Sequence, residues 1–189
     1  MLDYTLLTSK IDALLAAKNG APLLIAIDGR CGCGKTTLAA KLNKRFGGNA
    51  AHMDDFYLPF DMRADGWDKT PCANMDLQRF YSEVLQPAKD GAAITYKAYC
   101  CRSGAFLPAK VLQPAPLFIA EGSYSTHPML KACYDLTVFV TAPKAEQISR
   151  LKQREGANYP AFASRWMPLE EAYFAMYGIQ QSADVVIET

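Results

Sequence analysis

The sequence predicts a three-layer α/β fold in which helices cover both faces of a central parallel sheet of about five strands. Short, continuously apolar runs at 22–28, 116–122 and 134–143 are typical of strands that are buried on both faces. Segments with helical apolar spacing alternate with these runs, as they do where right-handed crossovers connect parallel strands. No repeat, low-complexity tract or linker interrupts the alternation, so we expect a single domain over residues 1–189.

The first half of the chain predicts two helices and two strands. Leucine and isoleucine recur at helical spacing over residues 3–18, and an Asn-Gly pair ends that helix. The apolar run 22–28 forms the first strand. The pattern TTLAAKLNKRF indicates a helix over 35–46 that ends at a Gly-Gly pair. A short second strand begins at about residue 49 and ends in two aspartates.

The second half begins with a loop over 61–73, because this segment combines glycine, proline and charged residues. Asn74 is expected to cap a helix that runs to about Pro87. The segment TYKAYCCRSGAF predicts a hairpin with its turn near Ser103-Gly104. The remaining predicted elements are strands at 116–122, 134–143 and 184–188 and helices at 144–156 and 169–181.

Charge and hydropathy exclude several kinds of partner. The chain has 20 basic and 19 acidic residues and a net charge of +1, so no global field would hold a nucleic acid or an acidic membrane surface. Its longest apolar runs fall far short of the roughly 20 residues that a membrane span needs. The first ten residues lack the pattern of a signal peptide. We therefore expect a cytoplasmic protein. The sequence is compatible with a monomer or with a homo-oligomer.

Six cysteines are present, and we interpret them as thiols, since the chain is long for a disulfide scaffold. Their spacing does not match the paired arms of a zinc site. Cys31 and Cys33 lie near a predicted helix N-terminus, which can lower a thiol pKa and make the thiol sensitive to oxidation. The alternative is that they are simply small residues in a tight loop.

Residues 29–36 match the pattern G-x-x-x-x-G-K-[ST] and lie between a predicted strand and a predicted helix. Glycines let successive backbone N–H groups turn toward an anion, and the positive end of the helix adds to that attraction. Lys35 would reach the β and γ phosphates of ATP, and the Thr36 hydroxyl would bind Mg²⁺. The residues predicted to bind the nucleotide are Gly29, Arg30, Cys31, Gly32, Cys33, Gly34, Lys35, Thr36 and Thr37.

Asp54 and Asp55 lie at the carboxyl end of the second predicted strand, the edge where open parallel sheets bind ligands. Acidic groups there favour a neutral hydroxyl acceptor, which an aspartate can orient and deprotonate. The alternative is that the pair caps a helix or lies in a solvated turn. Trp67 and Trp166 are candidates for an aromatic acceptor pocket, with packing as the stronger alternative for Trp166.

Glu121 ends the strand PLFIAEG, where its carboxylate can hold magnesium beside Thr36. An exposed acid at a strand end is the alternative. Arg150 and Arg154 are four residues apart and share one side of a predicted helix. With the glycine-containing segment that follows, they predict a lid over about 150–166 that brings guanidinium groups to the transferring phosphoryl group. A solvated helix face is the alternative for these arginines.

The motifs that follow residues 29–36 are, in order, MDDFYLP, GWD, NMDLQRF, EGSYS and SRLKQR. This order resembles the uridine kinase family, within the phosphoribulokinase and uridine kinase group of P-loop kinases, over nearly the whole chain. The resemblance implies the P-loop kinase fold with a small hairpin and a lid. At the hairpin, Tyr99 is followed by Cys100 where the family usually has aspartate, so the chain is similar to a divergent member.

The resemblance also implies roles for individual residues. Asp54 would act as the base toward a nucleoside 5′-hydroxyl group, and Tyr57 in the same motif would bind the substrate. Asp68 would grip the ribose hydroxyls, and Tyr99 would contact the nucleobase. The expected metal ligands are Thr36, Asp54 and Glu121. The expected catalytic residues are Lys35, Asp54, Arg150 and Arg154.

The sequence therefore predicts a kinase that uses ATP and Mg²⁺ to phosphorylate a hydroxyl group of a small molecule, such as uridine or cytidine. A kinase of another alcohol, such as nicotinamide riboside or pantothenate, is one alternative. A nucleotide-dependent regulatory switch that acts through a partner is another. Against the switch, the chain has no Asn/Thr-Lys-x-Asp segment for reading guanine.

Overall fold

The structure is a computed structural model that describes residues 4–189. The start of the predicted first helix, at residue 3, lies outside the described residues. The helices are α1 (Thr5–Ala17), α2 (Lys35–Phe46), α3 (Leu77–Phe80), α4 (Gln86–Lys89), α5 (Pro128–Lys131), α6 (Lys144–Glu155) and α7 (Tyr159–Tyr177). The strands are β1 (Leu23–Gly29), β2 (Asn49–His52), β3 (Ile94–Cys100), β4 (Ala105–Leu112), β5 (Leu117–Glu121), β6 (Leu136–Thr141) and β7 (Val185–Glu188).

Five parallel strands form the central sheet in the order β2-β5-β1-β6-β7, which confirms the predicted architecture. Every residue of β1, β5 and β6 is buried, as expected for strands with helices on both faces. Alternate residues of β1 enter opposite cores because successive side chains of a strand point to opposite faces. Leu23 and Ile25 pack with α1 and α2, whereas Leu24 packs with the side of α3, α4 and α7.

Strands β3 and β4 form the predicted antiparallel hairpin, with a register irregularity between Lys97 and Tyr99. The chain turns between Cys100 and Ala105, where the sequence placed the turn. None of the helices in the described part of the chain is long and apolar enough to cross a membrane. The cytoplasmic location, the single domain and the oligomeric state stay predictions.

Two predicted helices differ from the sequence expectation. The helix expected from Asn74 begins at Leu77, and Asp76 caps it by accepting a hydrogen bond from the backbone N–H of Arg79 at 3.0 Å. The carbonyl of Asn74 instead accepts a hydrogen bond from the backbone N–H of Leu58. The middle of this helical region, Tyr81–Leu85, widens into a π-helical turn.

The last helix is longer than the predicted 169–181 and begins at Tyr159. A proline in its first turn favours this early start, since proline lacks the N–H that would be unpaired there. Helix α7 therefore includes part of the segment predicted as a lid at 150–166. The rest of that segment consists of the end of α6 and a 3-10 turn at Gly156–Asn158.

The carboxylate of Asp28, at the end of β1, is fully buried and joins three parts of the fold. It accepts hydrogen bonds from the backbone N–H of Gly29 at 2.7 Å and from the Tyr173 hydroxyl at 3.0 Å. It also accepts from both the N–H and the hydroxyl of Thr126, at 3.0 and 2.7 Å. Burial raises the pKa of Asp28, against the opposing effect of these donors.

We expect Asp28→Ala to lower the free energy of unfolding by about 3 kcal/mol or more, because each buried donor left unpaired costs roughly 1–3 kcal/mol. Tyr173→Phe removes only one of the four donors and should cost about 1 kcal/mol. Urea unfolding followed by tryptophan fluorescence measures both values. An Asp28→Ala protein as stable as the wild type would contradict this role.

Candidate active site

The loop between β1 and α2, residues 29–34, has the backbone geometry of an anion cradle. Gly29 has φ +131°, and a Cβ atom at this position would lie 2.1 Å from the Val140 carbonyl oxygen, so only glycine fits. Gly34 has φ +85° and leads directly into α2. The N–H groups of residues 34–37 donate to no acceptor within the described residues. Four adjacent donors at a helix N-terminus are therefore available to a phosphate group.

Lys35 turns back over this loop. Its ammonium group donates to the carbonyl oxygens of Gly29 at 2.6 Å and Arg30 at 3.1 Å, and it lies 3.5 Å from the Ser123 hydroxyl. A cation in this position complements a phosphate group that the loop amides hold. The loop thus provides both the donors and the positive charge that the sequence predicted.

Glu121 lies at the end of β5, beside the first turn of α2, because β5 is the neighbour of β1 in the sheet. Its carboxylate is 5 % exposed and accepts a hydrogen bond from the Thr36 hydroxyl at 3.0 Å. His52 lies opposite, with its Nδ1 atom 2.5 Å from the same carboxylate, and this contact raises the pKa of His52. The sequence did not predict that His52 would contact the site.

Asp54 lies in a 3-10 turn, Met53–Phe56, just beyond β2. Its carboxylate is open to solvent inside the cleft and accepts a hydrogen bond from the Tyr57 hydroxyl at 3.1 Å. Desolvation by the walls of the cleft raises the pKa of Asp54, and the nearby charges of Glu121 and Glu170 raise it further. Asp55, its sequence neighbour, points to the hairpin instead, where Lys110 donates to it at 2.7 Å.

A cavity of about 360 Å³ joins these groups at the carboxyl edge of the sheet. Most of the predicted site residues line it: Cys31, Gly32, Gly34, Lys35, Thr36, Thr37, Asp54, Tyr57, Glu121, Arg150 and Arg154. Trp166 also lines the cavity. The ring of Trp67 packs against the ring of Trp166, with the two ring centroids 6.3 Å apart. The cavity therefore contains the predicted phosphate-binding, acidic and lid groups together.

The two lid arginines reach the cavity from the second half of α6. Arg150 donates to Glu146 at 3.0 Å and to the Thr189 hydroxyl at 2.8 Å. Arg154 pairs with Glu155 at 2.6 Å and stacks over the ring of Phe162, which α7 contributes to the lining. The predicted lid thus supplies guanidinium groups to one wall of the cavity.

Arg30 and Cys33 were predicted to bind the nucleotide, but neither lines the cavity. The backbone N–H of Arg30 already donates to the Val140 carbonyl at 3.0 Å. Its guanidinium group turns away to Glu171, with contacts of 2.6 and 2.9 Å. Gly29 is likewise absent from the lining, since it is packed against β6.

Asp68 and Tyr99, the residues expected to hold a nucleoside, also lie outside the cavity lining. Asp68 pairs with Arg165 at 3.7 Å. Tyr99 is buried between the rings of Phe60 and Phe106, and the Phe60 N–H donates to its hydroxyl at 3.4 Å. This aromatic packing lies at the turn end of the hairpin, where Tyr99 pairs with Phe106 across β3 and β4.

Sequence reasoning missed Glu170, which is 7 % exposed and lines the cavity. One oxygen of its carboxylate accepts from the backbone N–H of Cys31 at 3.0 Å, and the other accepts from the Ser123 hydroxyl. Glu170 lies on α7, 139 residues after Cys31, and no local pattern indicates that these residues meet. Helix α7 therefore contacts the phosphate-binding loop directly.

The hypothesis that Cys31 and Cys33 have lowered thiol pKa values is wrong. Both are buried, and burial raises the pKa of each thiol. Glu170 raises the pKa of Cys31 further, because a carboxylate disfavours a second negative charge nearby. The attraction of Lys35 is too weak to reverse either shift.

The oxygen groups in the cavity fit Mg²⁺. The Thr36 hydroxyl and the Glu121 carboxylate are already within hydrogen-bond distance of one another, and Asp54 lines the same cavity. Residues 4–189 contain no cluster of three or more His, Cys, Asp or Glu side chains that could hold a metal ion by themselves. Magnesium suits such a site because it is commonly bound by one or two protein ligands together with substrate phosphates.

The sequence matches the Phosphoribulokinase / Uridine kinase family over residues 24–189. The chain belongs to this family. It is therefore a P-loop kinase, and family membership supports an ATP-dependent phosphotransferase with a small-molecule substrate. P-loop kinases of this family generally use ATP with Mg²⁺. The resemblance seen in the sequence is thereby confirmed.

Solved structures support the same fold. A possible uridine kinase from Bacillus stearothermophilus has a TM-score of 0.68 at 20 % identity, with 96 % of this chain and 98 % of that chain covered. A candidate fructose transport system kinase from Silicibacter has a TM-score of 0.66 at 22 % identity, with 92 % of this chain and 98 % of that chain covered. D-glycerate 3-kinase from Cryptococcus neoformans has a TM-score of 0.66 at 15 % identity, with 94 % of this chain and 92 % of that chain covered. A comparison with curated proteins finds no match.

Thiol labelling tests the cysteine environments. We expect iodoacetamide at neutral pH to modify Cys101, which is exposed, and Cys100, whose pKa a hydrogen bond from Ser103 lowers. Cys31 and Cys33 should react only after unfolding, because they are buried and protonated. Mass spectrometry of the native and urea-unfolded protein measures each site. Rapid native labelling of Cys31 would contradict the structure.

Proposed function

We propose that this kinase transfers the γ-phosphoryl group of ATP to a hydroxyl group of a small molecule, in the first instance the 5′-hydroxyl group of a nucleoside such as uridine or cytidine. The observation that carries the proposal is the shared cavity: Asp54 lines the same space as Lys35 and the open end of α2. A hydroxyl group beside Asp54 would face a triphosphate held by the loop amides.

The phosphate-binding end supplies positive charge where negative charge develops. The N–H groups of residues 34–37 and the Lys35 ammonium group would hold the phosphates, and fixed donors of this kind stabilise the transition state without reorganising. Thr36 and Glu121 would hold Mg²⁺, which neutralises charge on the β and γ phosphates. Arg150 and Arg154 would close over the γ-phosphoryl group from α6.

Asp54 would orient the acceptor hydroxyl and accept its proton. The raised pKa of Asp54 makes its carboxylate a stronger base than an ordinary aspartate. The Tyr57 hydroxyl donates to one carboxylate oxygen and fixes its direction, so the other oxygen remains for the acceptor. Asp55 cannot serve instead, because it is held by Lys110 and by the Tyr96 hydroxyl at 2.7 and 2.9 Å.

A second candidate acceptor is an alcohol other than a pyrimidine nucleoside, such as nicotinamide riboside or pantothenate. The positions of Asp68 and Tyr99 favour pantothenate in particular, which has no ribose or nucleobase, because both residues expected to hold a nucleoside are engaged outside the cavity lining. The neighbours described as kinases of glycerate and of a fructose transport system add D-glycerate and D-fructose as compounds to test.

An acceptor panel tests the proposal. The purified protein with ATP and Mg²⁺ should form ADP in the presence of one of uridine, cytidine, nicotinamide riboside, pantothenate, D-glycerate or D-fructose. Phosphorylation of the acceptor should be visible by mass spectrometry. ADP formation that depends on a protein partner and on none of these acceptors would favour the regulatory switch and overturn the proposal.

Replacement of Asp54 tests its role as base. We expect Asp54→Asn to lower kcat by about 10²–10⁴-fold, the usual contribution of general base catalysis, with ATP binding retained. Asp55→Asn is the matched control, since it makes the same change at the neighbouring position outside the cavity, and it should keep kcat within a few-fold. Equal losses in both variants would contradict the assignment.

Chelation tests the metal requirement. We expect EDTA to abolish phosphoryl transfer and added Mg²⁺ to restore it, because Thr36 and Glu121 would hold the ion together with the phosphates. The thermal unfolding midpoint without nucleotide should not change with EDTA. A midpoint that falls on chelation would instead indicate a structural metal that the protein holds by itself.

A further inference from the structure

Asn74 is a buried polar residue whose side chain has no partner within the described part of the chain. It is 3 % exposed, and no hydrogen bond joins its side-chain amide to another described residue. Buried polar side chains are normally hydrogen-bonded, so such a group requires an explanation. Asn74 lines the cavity that also contains Asp54 and Lys35, which places a partner for it inside that cavity.

The other two buried polar residues of the cavity lining are already paired. Glu121 accepts from Thr36 and contacts His52, and Glu170 accepts from Cys31 and Ser123. Both lie toward the phosphate-binding loop. Asn74 differs from them in having its full hydrogen-bonding capacity unused, with two N–H donors and one oxygen acceptor.

The backbone around Asn74 is held against the segment that follows the proposed base, Asp54. The Asn74 carbonyl accepts from the Leu58 N–H at 2.8 Å, and Tyr57 and Met75 form an antiparallel bridge. The Tyr57 hydroxyl in turn donates to Asp54. Asn74 is therefore positioned by the same short segment that orients the Asp54 carboxylate. Its backbone carbonyl is hydrogen-bonded, whereas its side-chain amide has no partner among the described residues.

We propose that the Asn74 amide binds a second hydroxyl group of the acceptor, next to the hydroxyl group that faces Asp54. This inference rests on the proposed function. A hydroxyl group can donate to the amide oxygen and accept from the amide N–H, so it matches a neutral amide without requiring a counter-charge. The acceptor class is therefore a diol or polyol, and Asn74 selects it against simple alcohols of similar size.

Selection follows from the cost of leaving the amide unpaired. An acceptor that lacks the second hydroxyl group would fill the cavity and still leave a buried amide without a partner. Sites built to hydrogen bond a substrate hydroxyl group reject analogues without it far more strongly than apolar pockets reject a missing methylene. The discrimination should therefore be seen in the acceptor and not in ATP.

The test uses the full-length protein and the acceptor that gives the highest wild-type rate in the panel of uridine, cytidine, nicotinamide riboside, pantothenate, D-glycerate and D-fructose. We expect Asn74→Ala to raise KM for that acceptor about tenfold, the effect of one lost hydrogen bond, with kcat changed by less than about threefold. The KM for ATP and the thermal unfolding midpoint should stay at the wild-type values, because the amide has no partner in the protein to lose.

Two further variants make the result specific. Asn74→Asp keeps an oxygen acceptor for a hydroxyl group and should restore KM to within about threefold of wild type. Asn49→Ala makes the same truncation on β2, where the side chain donates to Gln113 outside the cavity, and should leave the acceptor KM unchanged.

The outcomes separate the two proposals. A wild-type protein that phosphorylates none of the panel would overturn the proposed function and this assignment together. An active wild type whose acceptor KM is unchanged by Asn74→Ala would overturn the assignment alone. Loss of folding in Asn74→Ala would indicate a packing role and overturn it too, and a loss in Asn74→Asp as large as in Asn74→Ala would exclude a hydroxyl partner.

Discussion

The site depends on one buried carboxylate, that of Asp28. Because it accepts hydrogen bonds from Gly29, Thr126 and Tyr173, it fixes the start of the phosphate-binding loop against the turn after β5 and against α7. A charge taken out of water is tolerated only where donors surround it, so these three elements must meet in one arrangement. The geometry of the cavity therefore depends on a loop whose position the Asp28 carboxylate fixes.

Helix α7 extends that constraint to the candidate nucleotide site. Glu170 accepts from the Cys31 N–H, and the adjacent Glu171 pairs with Arg30, so two successive carboxylates attach the helix to the loop. The same helix contributes Phe162 and Trp166 to the cavity. Helix α7 and the loop therefore form one connected unit, in which a phosphate group that reaches the Cys31 amide would compete with Glu170. Lys35 would likewise exchange loop carbonyls for phosphate oxygens.

The acceptor side is built differently from the phosphate side. Phosphate binding as proposed would use the backbone N–H groups of consecutive residues, whereas the acceptor would meet Asp54, Tyr57 and Asn74, which come from two segments that the Tyr57–Met75 bridge joins. Asp68 and Tyr99 were expected there by resemblance, but an ion pair with Arg165 and aromatic packing hold them elsewhere. The proposed phosphate-binding groups are therefore encoded more locally than the proposed acceptor-binding groups.

The sequence by itself determined the alternation of strands and helices along the chain and the bounds of α2, because apolar periodicity is a local property. It also indicated the candidate roles of Lys35 and Thr36, which belong to one contiguous loop motif, and of Glu121 at a strand end. Only the tertiary structure decided which of the two neighbouring aspartates faces the cavity, that α7 reaches the loop through Glu170, and that Asn74 is left unpaired instead of capping a helix. These outcomes depend on contacts between residues far apart in the chain, where competition for hydrogen bonds and packing space overrides what each local pattern favours.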